Sequence, residues 1–553
     1  MRKLGVGVLL ILLVAVAAWQ YRIDLVVWGA PKIRAVIAPV PPNEPTRWPA
    51  GPDTAEALPH ERPPNIVLIL MDDMGFNDVS LYNGGAADGS LMTPAIDSIA
   101  RDGVTFTSGY AANAVCAPSR ATIMTGRYST RFGFEFTPFP RIGLTIIDWM
   151  QQVEKPALPT LIDREAAATM PRATLVDLGM PSAEVTIAEV LKAAGYYTAH
   201  IGKWHLGGAP GMRPEDQGFD DSLYMAGALY LPEDSPDVVN AKRPEEGVER
   251  MVWTFAEYAA QFNGGERFEP DGYLTDYYTD EALEVIERNR NRPFFLYLAH
   301  WGIHNPLQAL RADYEALAHI SDHHLRVYAA MIRSVDRSVA RILEKLGALG
   351  LDENTLVLLT SDNGGAGYIQ LPDINRPYRG WKLTHFEGGT HVPFMARWPA
   401  RIAPGTVFDA PVHHMDLFHT IAAAAGAVVP GDRELDGVDL LPFVTGERSD
   451  APHDTLFWRE GHQQTVLHQG WKLIRAARPD KRWLFNLHDD PTEQVDLAAS
   501  QPQRVAALEA LLDAHNAEQA APLWPSVLES PMLIDKHGGE PYVEGDEYIY
   551  WPN

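Results

Sequence analysis

With one cysteine, Cys116, in 553 residues, no intramolecular disulfide is possible, and a thiol kept where all others are missing asks for a chemical reason. Positive charge is also scarce. Lys and Arg total 46 against 72 Asp and Glu, a net charge of −26. No long Lys/Arg run interrupts that acidity, which excludes a nucleic-acid partner, because phosphate backbones are held by basic faces. An acidic chain that acts on an anion needs a local basic pocket, so clustered Arg, Lys and His would mark its site. Long apolar runs are missing after the first residues, and hydrophobic (46%) and charged (21%) fractions are those of a globular protein. Disorder and a polytopic membrane protein are thereby excluded. Internal repeats and low-complexity tracts are absent as well.

The one apolar run follows Met1-Arg2-Lys3 and extends from Leu4 to Trp19, with Ala15-Val16-Ala17 as a cleavage candidate. That is the layout of an export signal. Leu25-Val26-Val27-Trp28 resumes the apolar character, so an uncleaved anchor is the alternative, although the run is short for a full span. We expect residues 1–29 to be a signal peptide or N-terminal membrane anchor, and the chain to be exported, to a periplasm or the exterior. Residues 30–62, rich in Pro and polar groups, read as a linker.

Beyond the linker, Asn65 to Leu70 is a nearly all-apolar run ending in Asp72-Asp73, the pattern of a strand buried on both faces of a parallel sheet. The plan repeats. Helix 185–194 precedes strand 196–201, helix 275–289 precedes strand 294–298, and helix 324–346 precedes strand 355–360. The last of these helices places Leu325, Tyr328, Ile332, Val335, Val339 and Ile342 at helical spacing. The expected fold is α/β, a large mixed, mostly parallel sheet with helices on both faces, over 63–440. From 441 to 553 the texture becomes short alternating segments (465–467, 471–474, 483–486) and one helix (503–519), read as a small α+β module with an antiparallel sheet and a tail that shows no periodicity.

Ligands in such sheets bind beyond the carboxyl ends of the strands. Asp72-Asp73, Gly202-Lys203-Trp204-His205, His304 and Asp362-Asn363 all follow expected strands and so share one rim. The most informative stretch is Ala114 to Gly126, in which Cys116 precedes Pro118, Ser119 and Arg120 at a helix start. A thiolate phosphatase would want its Arg six positions after the Cys, where this chain has Thr122. A buried structural Cys is the plain alternative.

This stretch resembles the signature of the sulfatase family at every defining position, and Gly195-Tyr196-Tyr197-Thr198-Ala199-His200-Ile201-Gly202-Lys203-Trp204-His205 is similar to the family's second signature. The similarity runs from about residue 64 through the C-terminal module. It implies an alkaline-phosphatase-like fold, a catalytic domain over 63–440, and hydrolysis of sulfate monoesters through a sulfated enzyme. It also implies that a cysteine-converting enzyme oxidises Cys116 to formylglycine, whose hydrated aldehyde is the nucleophile. Asp72, Asp73, Asp362 and Asn363 offer only oxygen ligands, which suits a hard cation rather than Zn²⁺. By resemblance these four and residue 116 hold one Ca²⁺, with Mg²⁺ second. The resemblance further implies that Arg120 holds the formylglycine diol, Lys203 binds sulfate and diol, and His205 takes the proton that lets the sulfated enzyme collapse. His304, in Trp301-Gly302-Ile303-His304-Asn305-Pro306, and Lys382, in Gly380-Trp381-Lys382, would face the leaving-group oxygen, with His300 a rival for the place of His304.

One departure is His391 ahead of Val392-Pro393, where the family commonly has Arg. It puts in doubt a structural ion pair more than the chemistry. Two alternatives stand: a phosphonate or phosphodiester hydrolase of the same superfamily, whose second metal pair tends to be Asp-His where this chain has Asp362-Asn363, and a silent member that binds sulfated glycans. The organic portion of the ester, whether aryl, alkyl or sugar, is open. Stretches 137–176 and 221–273 are irregular and aromatic-bearing, and we expect them to wall the substrate pocket.

Overall fold

The computed structural model describes residues 19–553 apart from 83, 87, 140, 170–177 and 244. The apolar run expected to direct export lies outside the described residues except for its last member, Trp19.

Five parallel strands form the middle of a ten-stranded sheet: β1 (Asn65–Met71), β2 (Tyr197–Gly202), β3 (Asp221–Met225), β4 (Phe294–Ala299) and β5 (Thr355–Ser361). Their order across the sheet is β5-β1-β4-β2-β3. Phe394–Arg397 continues the sheet antiparallel beyond β5, and Ala260–Phe262 does so beyond β3. Every residue of β1, β4 and β5 is buried, which is why these runs carry no polar alternation.

Alternate residues serve opposite faces. On one face Val67, Ile69, Leu296 and Val357 meet Tyr278, Val285, Ile332 and Val339. On the other, Ile66, Leu68, Tyr297 and Leu358 meet Ile123, Met124, Phe418 and Ile421. The α/β architecture with helices on both faces is therefore the observed one.

The helices that frame the site are α1 (Arg22–Ile37), α2 (Cys116–Thr125), α3 (Arg141–Glu154), α4 (Gly247–Phe255), α5 (Leu274–Arg288) and α6 (His323–Ala348). The α6 helix starts at Asp322, whose side chain accepts the Leu325 N–H at 2.8 Å. The boundary expected at residue 29 falls inside α1, which packs Ile23 and Val27 against Ile146, Trp149 and Met150 of α3. Further along, Trp48 is buried and donates its indole N–H to Glu281 at 2.5 Å, so this stretch lies docked on the domain.

The C-terminal module is a four-stranded antiparallel sheet, Thr455–Glu460, Gln463–His468, Trp471–Ala477 and Asp480–Asn486, covered by the helix Pro502–Ala517 through Leu508 and Leu512. The tail that showed no periodicity is a hairpin, Leu528–Leu533 with Tyr548–Pro552, joined on its open edge by Leu161–Ile162. Most of Leu528–Leu533 is only half-buried, which erased the alternation that would have revealed it.

Candidate active site

Four of the parallel strands end at one rim, and the residues just past them make the site. Asp72-Asp73 follows β1, Lys203 and His205 follow β2, His304 follows β4, and Asp362-Asn363 follows β5. The α2 helix points its first residue, Cys116, at the same place, with Arg120 one turn on along the same face. Gly202 is needed for this convergence. Its φ is +108°, and a Cβ there would lie 1.9 Å from the Ala299 carbonyl oxygen. Only glycine lets β2 finish hard against β4, where the Lys203 N–H then donates to Ala299 at 2.9 Å. Asp73 and His205 also take left-handed backbone conformations, with φ of 61° and 64°. Such residues carry strain of about 1–3 kcal/mol each and gather at functional sites.

The side chains interlock. The Cys116 Sγ lies 3.5 Å from Asp72 Oδ1 and 3.9 Å from Asp73 Oδ1. Arg120 Nη2 is 3.2 Å from Asp72 Oδ2 and 2.7 Å from Asp362 Oδ2, and its Nη1 donates to the Lys203 carbonyl at 2.9 Å. Lys203 Nζ is 2.7 Å from Asp72, and Lys382 Nζ is 2.6 Å from Asp73. His304 Nε2 stands 3.5 Å from Asp73, and Asn363 Nδ2 donates to Asp73 at 2.8 Å. Cys116 and all these partners except His304 are at most 5% exposed.

So much buried charge shifts the titrations. Burial, then the neighbouring Asp362, pushes Asp72 up to about 6. Burial pushes Asp73 the same way, but Lys382, His304 and Lys203 overrule it and hold the carboxyl below the usual range. For Asp362, Arg120 and Lys203 likewise overrule burial. Burial and Asp362 push the Cys116 thiol far up, which makes it a poor thiolate nucleophile. Burial, then Lys203 and Arg120, pulls His205 well down, so the imidazole is neutral and can accept a proton. His205 Nδ1 is buried without a hydrogen-bond partner among the described residues.

His304 and His300 separate cleanly. His304 Nδ1 contacts the Asn305 carbonyl at 2.6 Å, which leaves Nε2 facing the site. His300 Nε2 pairs with Ser338 Oγ of α6 at 2.9 Å, inside the packing. Two residues escaped the sequence reading. Tyr368 places its hydroxyl 3.1 Å from Asp73 Oδ2 and 3.3 Å from Lys382 Nζ. Trp301 stacks on His304 with ring centroids 4.0 Å apart, and Lys203 Nζ lies 4.8 Å from its ring. Trp301 sat in the quoted His304 motif, and Tyr368 follows Asp362-Asn363 across a glycine-rich turn, so position was the only signal for either.

The donor set fits a hard divalent cation. Asp72, Asp73 and Asp362 supply carboxylate oxygens, and the Asn363 Oδ1 is buried without a partner among the described residues. Ligand atoms of Asp72, Asp73, Cys116 and His304 all lie within 4.8 Å of one another.

His391 meets a carboxylate at this position. His391 Nδ1 lies 2.8 Å from Glu387 Oε2, and Lys472 Nζ of the C-terminal module lies 2.7 Å from Glu387 Oε1. Beside the site opens a cavity of about 590 Å³, lined from residue 139 to 160, from 246 to 251, by Tyr368, Trp381 and Leu383, and by the tail hairpin. Parts of both stretches expected as pocket walls line it, and the tail is a third wall.

A family model described as Sulfatase matches residues 64–427. Another, described as N-sulphoglucosamine sulphohydrolase, C-terminal, matches residues 380–518. N-acetylgalactosamine-6-sulfatase of Canis lupus familiaris is 36% identical over 401 residues, covering 71% of this chain and 68% of its own. Steryl-sulfatase of Mus musculus is 34% identical over 467 residues, covering 73% and 69%. The solved structure of Ps i-CgsB in complex with k-i-k-neocarrahexaose superposes with a TM-score of 0.69 at 27% identity, covering 84% of this chain and 95% of that one.

Proposed function

The chain belongs to the sulfatase family and is a sulfuric ester hydrolase, and on that premise we propose that it works through formylglycine made from Cys116 beside one divalent cation, Ca²⁺ ahead of Mg²⁺. The observation that carries this reading is convergence. Cys116, Asp72, Asp73, Asp362 and Asn363 come from three separate segments of the chain and meet in one buried cluster whose amide oxygen, Asn363 Oδ1, is left over.

Asp72, Asp73, Asp362, Asn363 and residue 116 would hold the cation, which supplies positive charge against the sulfate oxygens. A cysteine-converting enzyme is needed in maturation, after which residue 116 supplies two hydroxyls on one carbon, one to attack sulfur and one to expel sulfate. Arg120, clamped by Asp362 and by the Lys203 carbonyl, orients those hydroxyls. Lys203 and Lys382 bring ammonium groups to the sulfate, preorganised by Asp72 and Asp73. His205, whose Nδ1 has no hydrogen-bond partner among the described residues, takes the proton of the second hydroxyl. His304 and Lys382, both beside Asp73, serve the leaving-group oxygen.

The substrate is a small-molecule or carbohydrate sulfate ester. Release of sulfate from an aryl sulfate, measured against hydrolysis of an aryl phosphodiester and an aryl phosphonate monoester, tests the reading: sulfate should be the faster by kcat/KM. A faster phosphodiester or phosphonate would transfer the site to the hydrolase alternative, and binding of a sulfated ligand without release would mark a silent member.

Export is part of the proposal, with attachment to a membrane through the segment ahead of α1. That helix exposes Trp28, Ile33, Val36 and Ile37, each more than 60% accessible. Among the described residues no helix is long and apolar enough to cross a membrane. Cell fractionation with intact mass of the mature N-terminus checks it, since a cleaved, fully soluble form would remove the attachment.

A further inference from the structure

We infer that the ester carries its single sulfate on a bulky apolar skeleton, an extended alkyl or fused-ring group, and not on a sugar. The inference rests on the sulfate-ester reading above and names the substrate class of that same site. The reacting groups and the cavity share residues. Tyr368 bonds Asp73 and Lys382 through its hydroxyl while lining the cavity, and Trp381 and Leu383, the neighbours of Lys382 in sequence, line it too. Leu383 is tied to the nucleophile's loop by its N–H on the Ala114 carbonyl at 2.9 Å. An ester whose sulfate reaches Lys382 therefore has its organic part against this cavity.

The walls are apolar on three sides: Ile147 and Met150 from α3, Met251 from α4, and Leu533 and Trp551 from the tail hairpin. At about 590 Å³ the space is of the size that holds one small molecule. Polar side chains, Gln151, Thr160, Ser530, His537 and Tyr542 among them, also line it, and some are engaged. Thr160 and Ser530 pair with each other at 3.2 Å. The Trp381 indole N–H and Gln151 Oε1 are buried without partners among the described residues. Sugar hydroxyls would lie desolvated against those three apolar walls, where a hydrocarbon gains by leaving water.

The charges at the cavity point the same way. Glu154 and Glu540 are acidic, and Lys536 is taken up by Asp546 at 2.6 Å; Glu246 accepts the Glu249 N–H as the cap of α4, and burial pushes it up to about 7. A second sulfate or a uronate on a glycan would meet carboxylates here. One sulfate at the buried basic rim and hydrocarbon elsewhere satisfies both halves of the site.

The test compares kcat/KM for a polycyclic alcohol sulfate, a long-chain alkyl sulfate, a small aryl sulfate and a monosulfated hexose, using the full-length enzyme and the variants Met251→Asp and Leu533→Asp. At least one bulky apolar ester should exceed the hexose by about a hundredfold. Which of the two wins tells ring from chain. Each variant should lower the ratio of bulky to small ester by about tenfold, because a carboxylate in an apolar wall disfavours hydrocarbon. Thermal melting of each variant guards against misfolding, and the two sit on different walls. A preferred hexose, or an unchanged ratio in both folded variants, overturns the inference. Calorimetric binding of the same esters to Cys116→Ser separates it from the chemistry. Tighter binding of the bulky esters with no turnover by the native enzyme would overturn the sulfatase mechanism and leave the cavity assignment standing; tighter binding of the hexose would overturn the assignment.

Discussion

Two buried charge clusters, around Glu387 and around Asp73, use the same residue types and end differently. Around Glu387 the cluster is nearly closed, with Glu493 Oε1 met only by the charge of Lys472. Lys472 reaches Glu387 at 2.7 Å and Glu493 at 3.0 Å, His391 and the Tyr110 hydroxyl take the second Glu387 oxygen, and the Glu387 N–H donates to Glu493 at 2.7 Å. Around Asp73 the cluster stays open. Carboxylates and cations are equally crowded there, yet Asn363 Oδ1 and His205 Nδ1 find no partner among the described residues. A cluster that only joins two parts of a fold spends its polar atoms internally. One that meets a substrate keeps some aimed outward.

Substitutions can break that contrast. Cys116→Ser should cut sulfate release at least about a thousandfold, because a single hydroxyl lacks the partner that expels sulfate. Its melting temperature should stay near that of the native protein, and a serine enzyme within tenfold of native activity would refute the assignment. Lys472→Met should do the reverse. Removing the one cation shared by two buried carboxylates costs about 3–5 kcal/mol of stability, read from denaturant unfolding, while the kcat of the folded fraction stays within about twofold. A stable Lys472→Met protein would mean that the closed cluster does not hold the C-terminal module.

Chelation sharpens the comparison from the other side. Removing divalent ions should lower activity by about a hundredfold, with Ca²⁺ restoring it better than Zn²⁺. Activity indifferent to chelation and to added Ca²⁺ would detach the open cluster from any metal. The smallest expected effect is on pH. Burial opposes ionisation of Glu387, but Lys472 and His391 outweigh it and hold the carboxyl at about 2. A depressed acid contributes stability that is present above its unfolded pKa of ~4.5 and is lost as pH falls towards about 2. Melting temperature should therefore fall across that window in the native protein and fall less in Glu387→Gln. Identical slopes would contradict the closed cluster's electrostatics.

The parts of the molecule that could be read in advance are those governed by local pattern. Strands β1, β4 and β5 announced themselves because full burial leaves no polar residue in the run. Apart from Lys382, which came only from the resemblance of Gly380-Trp381-Lys382, the site residues then followed from the rule that chemistry gathers beyond strand ends, joined to two signature stretches. What could not be read depends on long-range partners. The hairpin Leu528–Leu533 with Tyr548–Pro552 is half-exposed and pairs with Leu161–Ile162, more than 360 residues away in sequence. Tyr368 and Trp301 matter only through what they touch. The extended chain around Trp48 looked like a tether because its anchor, Glu281, is distant in sequence and its own composition is that of a loop. For the same reason the walls of the cavity were guessable as segments, but their apolar character was not. It arises when α3, α4 and the tail turn their side chains towards one space.

The state of residue 116 decides the central claim most directly. Mass spectrometry of the peptide spanning Val115 to Arg120, taken from protein of measured activity, should find an aldehyde or its hydrate in place of the thiol, in proportion to that activity. A fully active preparation in which every copy of the peptide still carries an unmodified thiol would contradict the account.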